Sequence, residues 1–233
     1  MFKQMFDEAT STLTYLIADE ASAEAVLIDP VIEHIDSYLT LINALGFKLT
    51  YSLETHVHAD HITGGGMLRK MTQAQTAVSQ QCGAETADIQ LKDGDQIPLG
   101  TEFIDVIATP GHTAGSISFL WKDRLMTGDA LLINGCGRTD FQSGDAGKLY
   151  DCITQKLFTL ADDTLVYPGH DYNGRRVSNI AQEKASNARL AGKSRDEFIE
   201  IMNNLNLPKP RLIDIAVPAN RMCGVPEDGP QQG

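Results

Sequence analysis

Residues 56–61, His56-Val57-His58-Ala59-Asp60-His61, place three imidazoles and one carboxylate in six consecutive positions, half of the six histidines in the sequence. Imidazole and carboxylate at this density, with no thiolate among them, suit Zn, Fe or Mn. Three further positions of the same chemistry follow at wide intervals. Thr109-Pro110-Gly111-His112-Thr113, Gly128-Asp129-Ala130 and Pro168-Gly169-His170-Asp171 each set a ligand-type residue beside glycine or proline, residues that permit the tight backbone turn needed to aim a side chain inward.

Each of these residues lies at the end of an apolar, β-branched run. Leu49–Leu53 precedes the His-rich segment, Ile104–Thr109 precedes His112, Arg124–Thr127 precedes Asp129, and Thr164–Tyr167 precedes His170. All four runs read as strands that deliver ligands to one sheet edge, where sites of α/β proteins usually form. Further strands are expected at Ser11–Ala18, Ala25–Asp29, Gln96–Leu99, Glu102–Thr109 and Ser116–Trp121. Helices are expected at Glu33–Leu45, from Met67, at Asp145–Phe158 and at Arg176–Leu190. His34 alone falls outside the ligand scheme, as an ordinary histidine of the first helix.

The order HxHxDH, PGHT, GDA, PGHD resembles the metallo-β-lactamase superfamily. The resemblance implies an α/β fold, an αββα four-layer sandwich with the metal site along one edge of the sheets. Within that superfamily, three later segments resemble the persulfide dioxygenases, also called sulfur dioxygenases: Gly135–Gln142 (GCGRTDFQ), Tyr167–Tyr172 (YPGHDY) and Val217–Gly224 (VPANRMCG). Glyoxalase II enzymes share the ligands and a Gly-Cys-Gly-Lys/Arg turn, but not the TDFQ that follows or the late PAN-x-x-CG. They also continue into a larger helical domain, for which the 63 residues after His170 leave little room beyond two helices.

What the resemblance implies for the chemistry is one Fe(II) per chain held by His56, His112 and Asp129. Two imidazoles and a carboxylate leave positions for a substrate sulfur and O2 side by side. Glutathione persulfide would be oxidised with O2 and water to sulfite and glutathione. His58, Asp60, His61 and His170, which hold a second metal in hydrolase relatives, would serve as a polar shell behind the ligands. Arg138 and Tyr172 are candidates to bind the substrate, as is Arg221, although Arg138 could instead pair with Asp140 and Arg221 could pin the C-terminal segment. Cys136 reads as a packed small residue, and Asp171 as an anchor of the His170 loop. The alternative is a glyoxalase II-type hydroxyacylglutathione hydrolase with two metals, often zinc. A metal- or persulfide-binding protein without catalysis is disfavoured by the complete ligand set.

Length suits one domain, expected over 1–224, with a Pro/Gly-rich, disordered tail over 225–233. A net charge of −12 is a poor match for a polyanion and argues against nucleic acid as a partner. No long apolar run predicts a membrane span. MFKQMFDEAT lacks the features of a secretion signal, and four scattered cysteines suit a reducing compartment, so a cytoplasmic location is expected. A homodimer is left open.

Overall fold

The computed structural model describes residues 1–225. The tail expected over 225–233 therefore lies outside the described residues from Pro226 onward. Two six-stranded mixed sheets face one another. The first runs β1 (Phe2–Phe6), β2 (Leu13–Asp19), β3 (Glu24–Ile28), β4 (Lys48–Leu53), β5 (Gln75–Ser79) and β6 (Ile89–Leu91) in spatial order. The second contains β7 (Gln96–Leu99), β8 (Glu102–Ala108), β9 (Ile117–Trp121), β10 (Arg124–Gly128), β11 (Leu165–Pro168) and β12 (Ser178–Asn179), ordered β12-β11-β10-β9-β8-β7. Strands β3 to β6 pair in parallel, as do β10 and β11; the other pairs are antiparallel.

Every residue of β2 is buried, because both faces of its sheet are covered. Leu13, Tyr15 and Ile17 point between the sheets and meet Ile104, Val106, Phe119, Trp121 and Met126 of the second sheet. Leu16 and Ala18 point the other way, onto α1 (Ile35–Ala44) and α2 (Gly65–Thr72) through Ile35, Tyr38, Ile42 and Leu68. The outer face of the second sheet buries Leu125 and Val166 against α3 (Ala146–Gln155), α4 (Ile180–Ser186) and α5 (Arg195–Asn203). A last helix, α6 (Ile213–Arg221), closes the described chain. These are the four expected layers. Among the described residues no helix is long and apolar enough to cross a membrane.

The caps explain where the later helices begin. Asp145 accepts the Lys148 amide and starts α3, while Ser194 and Glu197 form a reciprocal capping box on α5. The helix expected over Arg176–Leu190 is shorter, because Ser178–Asn179 pairs with β11 and the Asn179 side chain then caps α4. Among the described residues three helices, rather than two, follow His170. The strands β1, β5 and β6 differ from the expectation; each is short, and adjacent polar residues in β1 and β5 break the alternation that marks a strand. His34 pairs with Asp7 at 2.8 Å, away from the ligand cluster.

Candidate metal centre

Strand β4 ends at Leu53, and the loop that follows brings His56, His58, Asp60 and His61 to the edge shared by both sheets. His112, Asp129 and His170 follow the ends of β8, β10 and β11. The ligand-type atoms of His56, His112 and Asp129 lie within 4.8 Å of one another.

Hydrogen bonds fix which nitrogen each imidazole offers. The Thr55 hydroxyl donates to Asp29 Oδ2 (2.8 Å), so its oxygen accepts from His56 Nδ1–H (3.0 Å) and leaves His56 Nε2 bare. His112 Nδ1–H donates to the Arg138 carbonyl (2.7 Å), which leaves its Nε2 bare and 3.6 Å from Asp129 Oδ2. Burial, reinforced by His58 and His112, holds His56 well below the usual histidine range, so the ring is neutral. Two imidazoles with unprotonated Nε2 beside one free carboxylate oxygen form a donor set that fits a divalent transition metal.

Of the remaining ligand-type residues, His170, Asp60 and His61 are bonded to one another. His58 Nδ1 and His61 Nε2 have no hydrogen-bond partner among the described residues, and His58, Asp60 and His61 form a second group of possible metal donors. His170 donates from Nδ1 to Asp129 Oδ1 (2.6 Å) and from Nε2 to Asp60 Oδ2 (3.0 Å). Burial disfavours a charge on this ring, but Asp129 and Asp60 outweigh it and hold His170 protonated, well above the usual range. The same Asp60 oxygen accepts from His61 Nδ1 (2.9 Å) and the Thr12 hydroxyl (3.1 Å). Burial opposes ionisation of Asp129 too, yet His170 keeps it a carboxylate. His58 turns its Nε2 to Asp29 (3.1 Å), with Glu54 Oε2 at 3.3 Å. Burial again works against a charge, but these carboxylates outweigh it and hold His58 well above the usual histidine range, while burial pushes Glu54 up to about 7.

A cavity of about 650 Å³ opens onto His56, His112, Asp129 and His170. One wall is the turn Leu132–Arg138, and another is the α5–α6 connection near Leu207–Leu212. Tyr172 lines it, 65% exposed, with its ring stacked 5.6 Å from that of His170. Arg138 also lines it, but its fork is committed elsewhere. It donates to both Asp140 oxygens (2.6 and 2.7 Å) and to the carbonyls of Pro208 (2.6 Å) and Leu207 (3.2 Å). Of the two alternatives weighed for Arg138, the structure contains the Asp140 pair. Arg221 does not reach the cavity; it ends α6 on another side, where its carbonyl accepts from Thr86, so it supplies no cation there. The cations that line the cavity are Arg138, Arg175, Arg189 and Arg211, the last three not singled out in the sequence. Arg189 is tied to the Cys136 carbonyl, whereas Arg175 and Arg211 are exposed and make no ion pair among the described residues. Cys136 is packed as expected, and burial pushes its thiol up to about 11. Asp171 holds its loop through the amides of Asn173 and Arg175.

Because Arg138 joins the candidate ligand His112, through its carbonyl, to the cavity wall, through its side chain, Arg138→Lys should act on both. An ammonium cannot reproduce four directed bonds. We expect KM to rise about 10-fold and Tm to fall by several degrees, measured by steady-state kinetics and thermal melting. An unchanged KM would show that the 207–212 wall does not depend on this side chain.

Fold and site together define a metal-binding αββα protein, and a model of the metallo-β-lactamase superfamily matches residues 8–170. Persulfide dioxygenase ETHE1, mitochondrial, of Homo sapiens is 50% identical over 228 residues, 97% of this chain and 89% of its own length. The crystal structure of ETHE1 from Myxococcus xanthus matches with a TM-score of 0.95 at 58% identity, covering 97% of this chain and 100% of that one. A hydroxyacylglutathione hydrolase of Polaromonas is 36% identical over 170 residues, 70% of this chain and 64% of its own. The chain belongs to the metallo-β-lactamase superfamily and, within it, to the persulfide dioxygenase family.

Proposed function

We infer that this protein is a persulfide dioxygenase that takes glutathione persulfide, O2 and water to glutathione and sulfite. One Fe(II) per chain, held by His56 Nε2, His112 Nε2 and Asp129 Oδ2, would supply redox chemistry with O2 and a Lewis-acidic position for the persulfide sulfur. The observation that carries the single-metal reading is the double engagement of His170. Both of its nitrogens lie against carboxylates, Nδ1 on Asp129 (2.6 Å) and Nε2 on Asp60 (3.0 Å), which ties the ring into the protein's own hydrogen-bond network. Asp60 Oδ2 takes three donors, and His58 turns its Nε2 to Asp29 outside the cavity lining, although His58 Nδ1 and His61 Nε2 have no hydrogen-bond partner among the described residues.

The chain's own groups account for substrate binding. The cavity has the size of a small-molecule site. Arg175 and Arg211, on exposed stretches of its lining, suit the two carboxylates of a glutathione conjugate. Tyr172 offers a phenolic hydroxyl beside His170, and its ring screens the His170–Asp129 pair from water. The protonated His170 keeps Asp129 ionised and its Oδ1 occupied, so that Oδ2 alone faces the metal position. The overall change balances as GSSH + O2 + H2O to GSH, bisulfite and one proton.

Four cysteines, all buried and unpaired, support a reducing compartment such as the cytoplasm. The thioesterase alternative is tested by metal content. Protein purified without added metal should contain about one iron per chain, and excess zinc should not raise the total to two. Two tightly held metals per chain, with rapid hydrolysis of lactoylglutathione, would favour the hydrolase.

A further inference from the structure

The late PAN-x-x-CG segment contributes nothing to the cavity lining, yet it reaches the metal loop from behind. Asn220, in the last turn of α6, is 5% exposed and spends its whole carboxamide on that loop. Its Nδ2 donates to the carbonyls of His58 (2.9 Å) and His61 (2.8 Å), and its Oδ1 accepts the Thr63 amide (2.9 Å). All three are backbone groups of the segment that carries His56, and they have no place in the sheet ladder, so without Asn220 they would be buried and unpaired.

The chain then turns back over the same segment. The Cys223 carbonyl accepts the Gly66 amide in the first turn of α2 (2.8 Å), satisfying a donor that the helix itself leaves open. The approach is close enough to exclude side chains. A Cβ on Gly66 would stand 2.6 Å from the Cys223 oxygen, and one on Gly224, whose φ is +76°, would stand 1.9 Å from the Thr63 oxygen. Residues 220–224 thus form a buckle across 58–66.

We propose that Asn220 is a positioning residue that holds the His56–Thr63 loop in its metal-retaining form. The inference rests on the metal centre described above. Backbone freedom at His58 and His61 would let Asp60 drift from His170, and His170 in turn orients Asp129. Asn220 therefore acts on two ligands, His56 along the loop and Asp129 through the Asp60–His170 pair, without touching either.

The test is the rate at which Fe(II)-loaded protein surrenders its metal to an excess of a ferrous chelator, read by absorbance beside Tm. Asn220→Asp keeps the size and the Oδ1 acceptor but turns a carboxylate oxygen toward two carbonyls. Asn220→Ser is milder and guards against a variant that does not fold. Ile42→Ala, in a buried position of α1, provides a loss of Tm away from the loop. Release should accelerate about 10-fold or more in Asn220→Asp and less in Asn220→Ser, and stay near wild type in Ile42→Ala. Release that follows Tm alone across all three, or that is unchanged in both Asn220 variants, overturns the proposal. If wild type holds a metal other than iron, the iron reading fails separately, and the same comparison is made with the metal it holds.

Discussion

Asp129→Ala should leave the protein folded but nearly free of iron, with persulfide oxidation reduced at least about 100-fold. Replacing a ligand is expected to exceed the 10–100-fold loss typical of a group behind a ligand. The variant removes a donor, the negative charge that offsets a ferrous ion, and the acceptor of His170 Nδ1 at 2.6 Å. His170 then loses one of the two carboxylates that keep it protonated. His58→Ala is the informative contrast, because His58 Nε2 faces Asp29 and not the cavity. It should retain most of its iron, with activity falling about 10-fold. Metal analysis and steady-state rates on both variants check the pair. Equal loss of metal from the two would make His58 a ligand and the site dinuclear.

The second large effect is on stability. Asp29 is fully buried and lies in the left-handed region at φ +52°. Its two oxygens accept the Thr55 amide (2.7 Å), the Thr55 hydroxyl (2.8 Å) and His58 Nε2 (3.1 Å). Asp29→Ala leaves the buried His58 ring with Glu54 alone, strands the Thr55 amide, and places alanine where aspartate is better tolerated. A loss of about 3–5 kcal/mol is expected, which for a chain of this length is a fall in Tm of roughly 6–20 °C. Chemical denaturation of metal-free protein measures it without contribution from lost metal. A loss below about 1 kcal/mol would show that the Asp29–His58 pair adds little to the fold.

The candidate ligands are readable in the sequence because each lies beside a glycine or proline, or within two residues of another candidate, near the end of a strand, and strand ends converge on one edge in a layered α/β fold. His56, His112 and Asp129 could be placed from that rule with the family resemblance beside it. Asp29 could not. It directly follows β3 (Glu24–Ile28), but a lone carboxylate before Pro30 carries no metal pattern, and its partners lie 26 and 29 residues away. Asn220 is further removed, 162 residues from His58, and an amide on a helix suggests no chemistry until the fold brings it to the loop. Arg175 and Arg211 lie on segments with little regular structure, whose course over the cavity is set by tertiary packing. Arg221 was informative only through its motif; at the end of α6 it is not among the residues that line the cavity. The strands β5 and β6 escaped for a simpler reason, since five residues without alternation and three with it give too weak a pattern to separate from loop.

The most direct measurement follows O2 with an electrode and sulfite in the same sample, using iron-loaded protein and glutathione persulfide. Persulfide oxidation at a single iron predicts one O2 consumed per sulfite formed, with no sulfite in the absence of air and little hydrolysis of lactoylglutathione. Sulfite-free turnover, or fast thioester hydrolysis that proceeds equally with and without O2, would contradict it.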